Sequence, residues 1–165
     1  MIKLCILEGH RPKHVSFVSV SAELRLLECY LIFVNHYLDT KRYQHFAKSK
    51  NSAKSSMRNM NKWILIVPSL KPRFLHMLAY YHRIRSRVAD AEKYLKMAEK
   101  LANQFGNHLE KEWIIHNRSA WSDIGLPTVK YFWLEHTETH TLDWHNSGNI
   151  PWANIMYTLP LPAWK

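Results

Sequence analysis

Apolar residues recur every three or four positions over much of the first 122 residues, which is the spacing of one face of an α-helix. The first such stripe lies between residues 22 and 38, and Ser21 is a natural N-cap in front of it. The apolar positions of this stripe are Leu24, Leu27, Leu31, Val34 and Leu38. The pattern therefore predicts a long amphipathic helix at the start of a helical region.

Two less regular helices are predicted next. Thr40 can cap a second helix that ends near Lys62. Its weak apolar stripe consists of Tyr43, Ala47, Ala53, Met57 and Met60. Ser69 can cap a third helix that tolerates Pro72 in its first turn, where a missing N–H costs nothing. The apolar face of this third helix consists of Phe74, Leu75, Leu78, Tyr81 and Ile84.

The fourth helix has the most regular pattern of all. Gly106 lies where a left-handed residue is expected after its last turn. The apolar positions of this helix are Val88, Ala91, Leu95, Ala98 and Ala102. A fifth helix is predicted over about residues 107–122, with one face made of Leu109, Trp113, His116 and Ala120. After residue 123, Pro and Gly interrupt the chain and no period is sustained.

The third and fourth helices together match a helical-repeat pattern. On a 34-residue frame from Pro72 to Phe105, large and small residues fall where a tetratricopeptide repeat places them. These residues are Leu75, Leu78, Ala79, Ala91, Leu95 and Ala98. A generic helix pair in a small bundle is the alternative, because the consensus Trp, Tyr and Pro are replaced. We expect an all-α fold with an N-terminal extension (1–20), tetratricopeptide-like antiparallel helix-pair repeats (21–122) and an irregular aromatic tail (123–165).

Composition narrows the chemistry that the chain can perform. The 165 residues include only four Gly, which are too far apart to form a phosphate-binding loop, so a Rossmann or P-loop nucleotide site is excluded. Cys5 and Cys29 cannot form a disulfide framework and have no local His partner, so we expect reduced, buried thiols, with a single bridge between them as the alternative. The apolar stretch 4–7 is too short for a signal peptide, and no apolar run approaches a membrane span. We therefore expect a cytoplasmic protein.

Three motifs carry a resemblance to a known family. They are an Ala-x-x-Tyr-Leu-x-x-Ala pattern that begins at Ala91, a Gly-Asn turn at 106–107, and a Glu-Trp-Ile…His-Asn-Arg…Trp segment at 112–121. Residues 77–122 thereby resemble the C-terminal, tetratricopeptide-like region of the soluble adenylyl cyclases of sperm and cilia, the type-ten enzymes. The resemblance implies a large cytosolic protein that makes cAMP from ATP at its N-terminal end. Because this chain lacks those catalytic domains, the resemblance implies a ciliary or sperm context and a scaffolding role.

The formal net charge of +10 is unevenly distributed along the chain. The stretch 40–89 holds twelve Lys and Arg and no Asp or Glu. Such self-repulsion persists only when a partner neutralises it or water screens it. We interpret this acid-free stretch as a surface for an acidic protein, with a merely solvated face and nucleic-acid binding as the alternatives. The candidate partner-binding residues are Lys41, Arg42, Lys48, Lys54, Arg58, Arg73, Arg83 and Arg87.

The tail carries a second candidate surface. Exposed indoles are unfavourable, so its four Trp must either fold back over the helices or, as we favour, bury against a partner. These residues are Trp133, Trp144, Trp152 and Trp164. The Leu-Pro-Leu-Pro end at 159–162 is typical of an extended segment that docks in a groove. We interpret the tail's His136, His140 and His145 as ordinary polar residues, because the interleaved Thr argue against a helix that could hold zinc.

Together these features predict a non-enzymatic scaffold that binds acidic proteins in a larger assembly. Tubulin or other axonemal proteins are the candidate partners if the ciliary resemblance holds, and the cilium or flagellum is then the expected location within the cytoplasm. No catalytic residue, cofactor, metal or membrane partner is expected. The first alternative is a regulatory segment of a cyclase-like protein, and the second is a nucleic-acid binder, although no known DNA- or RNA-binding motif is present.

Overall fold

Five α-helices make up most of the described part of the chain. The computed structural model describes residues 15–122 and 158–162. Its α-helices are α1 (Phe17–Asp39), α2 (Tyr43–Trp63), α3 (Lys71–Ile84), α4 (Val88–Gln104) and α5 (His108–Ser122), with a 3₁₀ turn at Pro68–Leu70 before α3. All helices lie within 15–122 and neither range contains a strand, so the described fold is all-α as expected. No helix within them is both long and apolar enough to cross a membrane.

Three of the helices end in the same way. The second residue after the helix is left-handed in each case: Lys41 at φ 55°, Ser86 at φ 57° and Gly106 at φ 64°. The next N–H then bonds back to the last turn, as Arg42 does to the carbonyl of Tyr37 at 3.0 Å. Each connection is three residues long, which reverses the chain and sets consecutive helices side by side. The prediction for Gly106 is confirmed, whereas Lys and Ser carry no sequence signal for this conformation.

The start of α1 differs from the predicted one. Ser16, and not Ser21, caps the helix, because its hydroxyl accepts the N–H of Ser19 at 3.2 Å. The hydroxyl of Ser19 accepts the N–H of Ser16 at 2.8 Å, which completes a capping box. The helix therefore starts five residues earlier than expected and adds Val20 to its buried stripe. Thr40 ends α1 as its C-cap instead of starting α2.

α3 is the central helix of the described fold. It packs along α4 and also contacts α1 and α5, while α1 packs along α2 and α4 along α5. Because α3 has neighbours on several sides, it buries side chains around most of its circumference. These buried residues are Pro72, Phe74, Leu75, His76, Met77, Ala79, Tyr80 and Ile84. The six residues that matched the repeat frame are all buried except Leu78, which is half-buried.

Two predicted apolar stripes begin later than expected. Tyr43 and Ala47 of α2 are exposed, and Val88 of α4 is 54% exposed. The core contribution of α2 comes from its second half, at Ala53, Ser56, Met57 and Met60. In α4 the predicted core residues Ala91, Leu95, Ala98 and Ala102 are all buried. The first turn of each of these two helices therefore lies at the edge of the packed region.

The predicted buried face of α5 is wrong at three of its four positions. Leu109 is 59% exposed, and His116 and Ala120 are only half-buried. The buried residues of α5 are Glu110, Trp113, Ile114, Asn117 and Trp121. Two polar residues occupy core positions because other parts of the chain supply their hydrogen-bond partners. A pattern of apolar residues alone could not identify this face.

Candidate functional site

Five of the eight candidate basic residues are exposed to solvent on α2 or next to it. Lys41 and Arg42 are exposed in the α1–α2 connection, and Lys48, Lys54 and Arg58 are exposed on α2 itself. α2 contains no acidic residue. No cation of α2 forms an ion pair with a residue in the described ranges. These positive charges are therefore compensated only by solvent within the described part of the chain.

Four cations of α2 recur every four residues and form a line along the helix. We call this line the basic ridge, and it consists of Lys50, Lys54, Arg58 and Lys62. Residues four apart on a helix are neighbours, separated by about 6 Å along the axis. Lys50 is half-buried, with its Nζ atom 5.4 Å from the centroid of the Phe46 ring, and the other three are exposed. Like charges at this spacing repel by a few tenths of a kcal/mol per pair.

The other three candidate residues do not extend this surface. Arg87 is exposed at the N-cap of α4. Arg83 is half-buried and donates to the backbone carbonyl of Trp121 on α5. Arg73 lies inside the fold, with 15% of its side chain exposed. The expectation of an unpaired charge is therefore wrong for Arg73, which pairs with two carboxylates, whereas Arg83 has only a neutral carbonyl as its partner among the described residues.

Arg73 is the centre of a buried charge cluster that joins three helices. Its Nη2 atom lies 2.7 Å from Oε2 of Glu28 on α1, and its Nη1 atom lies 3.4 Å from Oε2 of Glu110 on α5. Its guanidinium carbon lies 3.5 Å from the centroid of the Trp113 ring, so the cation stacks on the indole face. The other oxygen of Glu110 lies 2.8 Å from Nδ1 of His76 on α3. The buried charge cluster is thus defined by Glu28, Arg73, His76 and Glu110.

His76 is held neutral within this cluster. Its side chain is fully buried, and this burial lowers its pKa more than the bond to Glu110 raises it. A carboxylate only accepts hydrogen bonds, so the proton of the neutral ring lies on Nδ1. The ring meets Trp113 edge-on at 4.5 Å, and its Nε2 atom has no hydrogen-bond partner among the described residues. Protonation of His76 would therefore place a further charge in the interior of the fold.

The buried charge cluster contains two carboxylates and one guanidinium group. Arg25 offsets the remaining negative charge from the solvent side, with Nη1 3.4 Å from Oε2 of Glu28 and a side chain that is 70% exposed. An open cleft of about 310 Å³ lies beside the cluster, between α1, α3 and α5. Its polar lining is Ser21, Arg25, Ser69, Arg73, Asn107 and Glu110. Because the charged groups on the inner wall are already paired, the cluster serves to hold the three helices together.

The segment 158–162 lies against α3 and α5, and we call it the docked segment. Leu159 is fully buried in the core, and Leu161 packs on it from a half-buried position. The Oγ1 atom of Thr158 lies 2.9 Å from Nε2 of His116 on α5. Pro restricts both itself and the preceding residue to extended conformations, which suits Leu-Pro-Leu-Pro to a narrow groove.

Side chains of the groove bond to the backbone of the docked segment. Asn117 accepts the N–H of Leu159 at 2.8 Å, and Nε1 of Trp121 donates to the carbonyl of Leu159 at 3.0 Å. The hydroxyl of Tyr80 donates to the carbonyl of Pro160 at 2.7 Å. This end does lie in a groove, but the groove belongs to the chain's own α3 and α5 and not to a partner, which the sequence analysis favoured for the tail.

Several predictions about the tail and about metal sites lie beyond the described residues. These concern Trp133, Trp144, Trp152, Trp164, His136, His140 and His145. Within residues 15–122 and 158–162, no group of three or more His, Cys, Asp or Glu could hold a metal ion. Cys29 was expected to be buried, but α1 directs it to solvent. Partial desolvation and the neighbouring Glu28 raise the pKa of its thiol, which disfavours the nucleophilic thiolate.

The residues that hold the buried charge cluster and the docked segment were not recognised from sequence. Glu28 interrupts the apolar stripe of α1 directly after Leu27, and Glu110 lies three residues before Trp113 on the buried face of α5. An acid on the apolar face of a helix is a signal for a buried cation, since carboxylates are rarely buried unpaired. That signal was available for Glu28. No comparable signal connects Asn117 with a backbone more than forty residues away.

The comparisons with known proteins provide no relative that could assign a function to these features. The resemblance of residues 77–122 to soluble adenylyl cyclases therefore rests on the sequence motifs alone and stays a prediction. No protein-family model matches the chain, and no curated protein or solved structure matches it.

Proposed function

We propose that the chain is a non-catalytic helical-repeat scaffold that binds acidic protein surfaces through the basic ridge. The packing of α1 on α2 and of α3 on α4, each joined by a three-residue turn, supports a tetratricopeptide-like arrangement in which α5 begins a third unit. Such arrays present long surfaces to protein partners because each unit packs only on its neighbours. The observation that carries the proposal is that the basic ridge has no acidic partner among the described residues.

On α4 and α5, cations are accompanied by acidic residues, and some of these charges are paired within the chain. Nη1 of Arg118 on α5 lies 2.7 Å from Oε2 of Glu99, and its Nε atom lies 3.4 Å from Oε1 of Glu92, both on α4. These two helices therefore offset each other's charges, whereas α2 retains its own. An uncompensated positive patch attracts acidic partners, accelerates their encounter and disfavours basic ones. The basic ridge is for this reason the surface that best fits an acidic protein.

Acidic, extended peptide segments are the partners that best fit a line of cations. The acidic tails of tubulin have this chemistry, and we propose them because of the ciliary resemblance, together with a location in the axoneme. The alternative of a regulatory segment in a cyclase-like protein rests on the same resemblance and has no support from the geometry.

The proposal is tested with a charge-reversed ridge. The Lys54→Glu/Arg58→Glu variant should bind a fluorescent poly-glutamate peptide, and tubulin, about tenfold more weakly at low salt, because two attractive sites become repulsive. The matched control is Lys93→Glu/Lys100→Glu, which makes the same change of net charge on exposed positions of α4. Fluorescence anisotropy measures the peptide affinity, and co-sedimentation measures binding to microtubules.

Equal losses in the two variants would contradict the proposal, because binding would then follow net charge and not the basic ridge. Unchanged binding to tubulin without its acidic tails would exclude those tails as the partner. Tighter binding of a labelled oligonucleotide, with an affinity that falls steeply with salt, would replace the acidic protein by a nucleic acid. Formation of cAMP from ATP by the purified chain would contradict the non-catalytic part of the proposal.

A further inference from the structure

The groove between α3 and α5 satisfies every backbone polar group of one dipeptide. Leu159 offers one N–H and one carbonyl, and Pro160 offers only a carbonyl because it has no N–H. Asn117, Trp121 and Tyr80 supply one partner for each of these three groups, at 2.8, 3.0 and 2.7 Å. Any other residue in place of Pro160 would bring an additional N–H. The groove therefore matches the Leu-Pro dipeptide by its backbone chemistry.

The apolar side chain of the dipeptide is matched as well. Leu159 is fully buried, so its isobutyl group supplies an apolar anchor beneath the hydrogen bonds. A charged or small residue at this position would lose the anchor. A groove that requires one buried leucine and one following proline selects its peptide more specifically than an apolar groove alone would.

The groove side chains also contact one another and their own helices, in addition to the docked segment. The Nδ2 atom of Asn117 donates to the carbonyl of Trp113 at 3.0 Å, which fixes the amide so that its oxygen faces the peptide. The rings of Tyr80 and Trp121 are stacked, with centroids 5.9 Å apart and planes 18° apart. All three peptide-binding side chains are buried, so their polar atoms need an occupant of the groove.

We propose that the α3–α5 groove is a binding site for an extended peptide that contains Leu-Pro, and that the docked segment occupies it as an intramolecular ligand. A partner protein with an exposed Leu-Pro segment would make the same three hydrogen bonds and bury the same leucine. The docked segment is joined to α5 within the same chain, so it competes as a tethered ligand and keeps the site closed. This site is separate from the basic ridge and does not depend on the function proposed for it.

The test opens the groove in the full chain with one substitution. Leu159→Asp removes the buried anchor of the docked segment without changing the sequence of α3 or α5. The probe is a fluorescein-labelled peptide of residues 155–165, and its affinity is measured by fluorescence anisotropy. The Leu159→Asp chain should bind this peptide at least about tenfold more tightly than the unchanged chain, because the tethered competitor is gone. The matched control is Leu109→Asp, an exposed position of α5 that should bind the peptide as the unchanged chain does.

Two further variants identify the contacts. A probe that carries the Leu159→Asp change should not bind the opened chain, and adding Asn117→Ala to the opened chain should weaken binding of the unchanged probe about tenfold. Far-ultraviolet circular dichroism establishes that each variant keeps its helices. If Leu159→Asp lowers the helical content, Leu159→Ala replaces it, because alanine removes the anchor without adding a charge.

Equal affinity of the peptide for the opened and unchanged chains, at equal helical content, would overturn the proposal. Binding of the Leu159→Asp probe as strong as that of the unchanged probe would also overturn it. Size-exclusion chromatography examines a second copy as the donor of the segment. An unchanged chain that is a dimer, together with a Leu159→Asp chain that is a monomer, would overturn the intramolecular contact and assign the groove to the segment of a second copy.

Discussion

The basic ridge and the buried charge cluster take their Lys and Arg from the same acid-free stretch, and these cations lie in opposite environments. Arg58 of the ridge is exposed and has no acidic partner in the described ranges, whereas Arg73 lies between two carboxylates and an indole ring. The acids that pair with Arg73 come from α1 and α5, outside the stretch that lacks them. A run of like charge along the sequence therefore does not establish that those charges share a surface.

The two regions also place opposite demands on the fold. Charge on the basic ridge is screened by water and costs little, so it remains available to a partner. Charge in the buried cluster has lost its water, and it is stable only while its partners remain. Removing a charge should thus have little effect in the first region and a large effect in the second.

The largest expected effect is that of Arg73→Ala. It would leave Glu28 and Glu110 without their shared cation and remove the stacking on Trp113, so we expect a loss of about 3–5 kcal/mol in the free energy of unfolding. The control Arg58→Ala should change that free energy by no more than about 0.5 kcal/mol. Urea unfolding followed by circular dichroism at pH 7 measures both, and similar losses in the two variants would contradict the comparison.

Lowering the pH is a second way to test the buried charge cluster apart from the basic ridge. Burial lowers the pKa of His76, and of the half-buried His82 and His116, below the unfolded value of 6.5. Below about pH 6.5 the unfolded chain therefore binds more protons than the folded one, so stability is full above this pH and falls as the pH decreases.

Urea midpoints between pH 5 and pH 8 measure this dependence. His76→Gln should flatten the fall, because an amide can still donate to Glu110 but cannot gain a charge at Nε2. The other charged groups around His76 are Arg73 and Glu28, and both remain in this variant. A midpoint that rises as the pH falls below 6.5 would contradict the assignment of a neutral His76.

A smaller effect separates charge from backbone conformation at Lys41, next to the basic ridge. Because its φ is 55°, Lys41→Gly should relieve left-handed strain and stabilise the fold by about 0.5–1 kcal/mol. Lys41→Ala removes the same charge without relieving the strain, so it should not stabilise.

Gly106→Ala is the converse case and should cost about 1 kcal/mol, since a methyl group there meets no other atom within 4 Å and only the φ of 64° opposes it. Thermal unfolding of the three variants measures these differences, and stabilisation by Lys41→Ala equal to that by Lys41→Gly would show that charge and not conformation is responsible.

The smallest expected effect has the opposite sign to that of Arg73→Ala. Lys54 lies between two cations of the basic ridge, so Lys54→Gln should stabilise the isolated chain by a few tenths of a kcal/mol at low salt. The difference should disappear in 1 M NaCl, where the screening length is about 3 Å. Urea unfolding at the two salt concentrations tests this, and destabilisation by Lys54→Gln at low salt would indicate an acidic partner within the chain.

The local sequence pattern was sufficient to predict whether a residue is buried where its position depends on its near neighbours in the chain. The regular spacing of Ala91, Leu95 and Ala98 predicts a buried helix face, and Gly106 predicts its end. The pattern failed where a polar residue belongs to the core. On α5 the true face includes Glu110 and Asn117, which an apolar count assigns to solvent.

The helices themselves are thus encoded locally, because the periodicity of apolar side chains and the capping residues act within one or two turns. Whether a charged side chain is buried or exposed is not encoded locally, since it depends on groups that approach from other helices. Glu28 and Glu110 reach Arg73 across 45 and 37 positions of the chain. Leu159 lies 38 positions after Trp121, the groove residue that donates to its carbonyl. Only the packing of α1, α3 and α5 around these side chains decides which cations face water, because burial makes an unpaired charge far more costly than an exposed one.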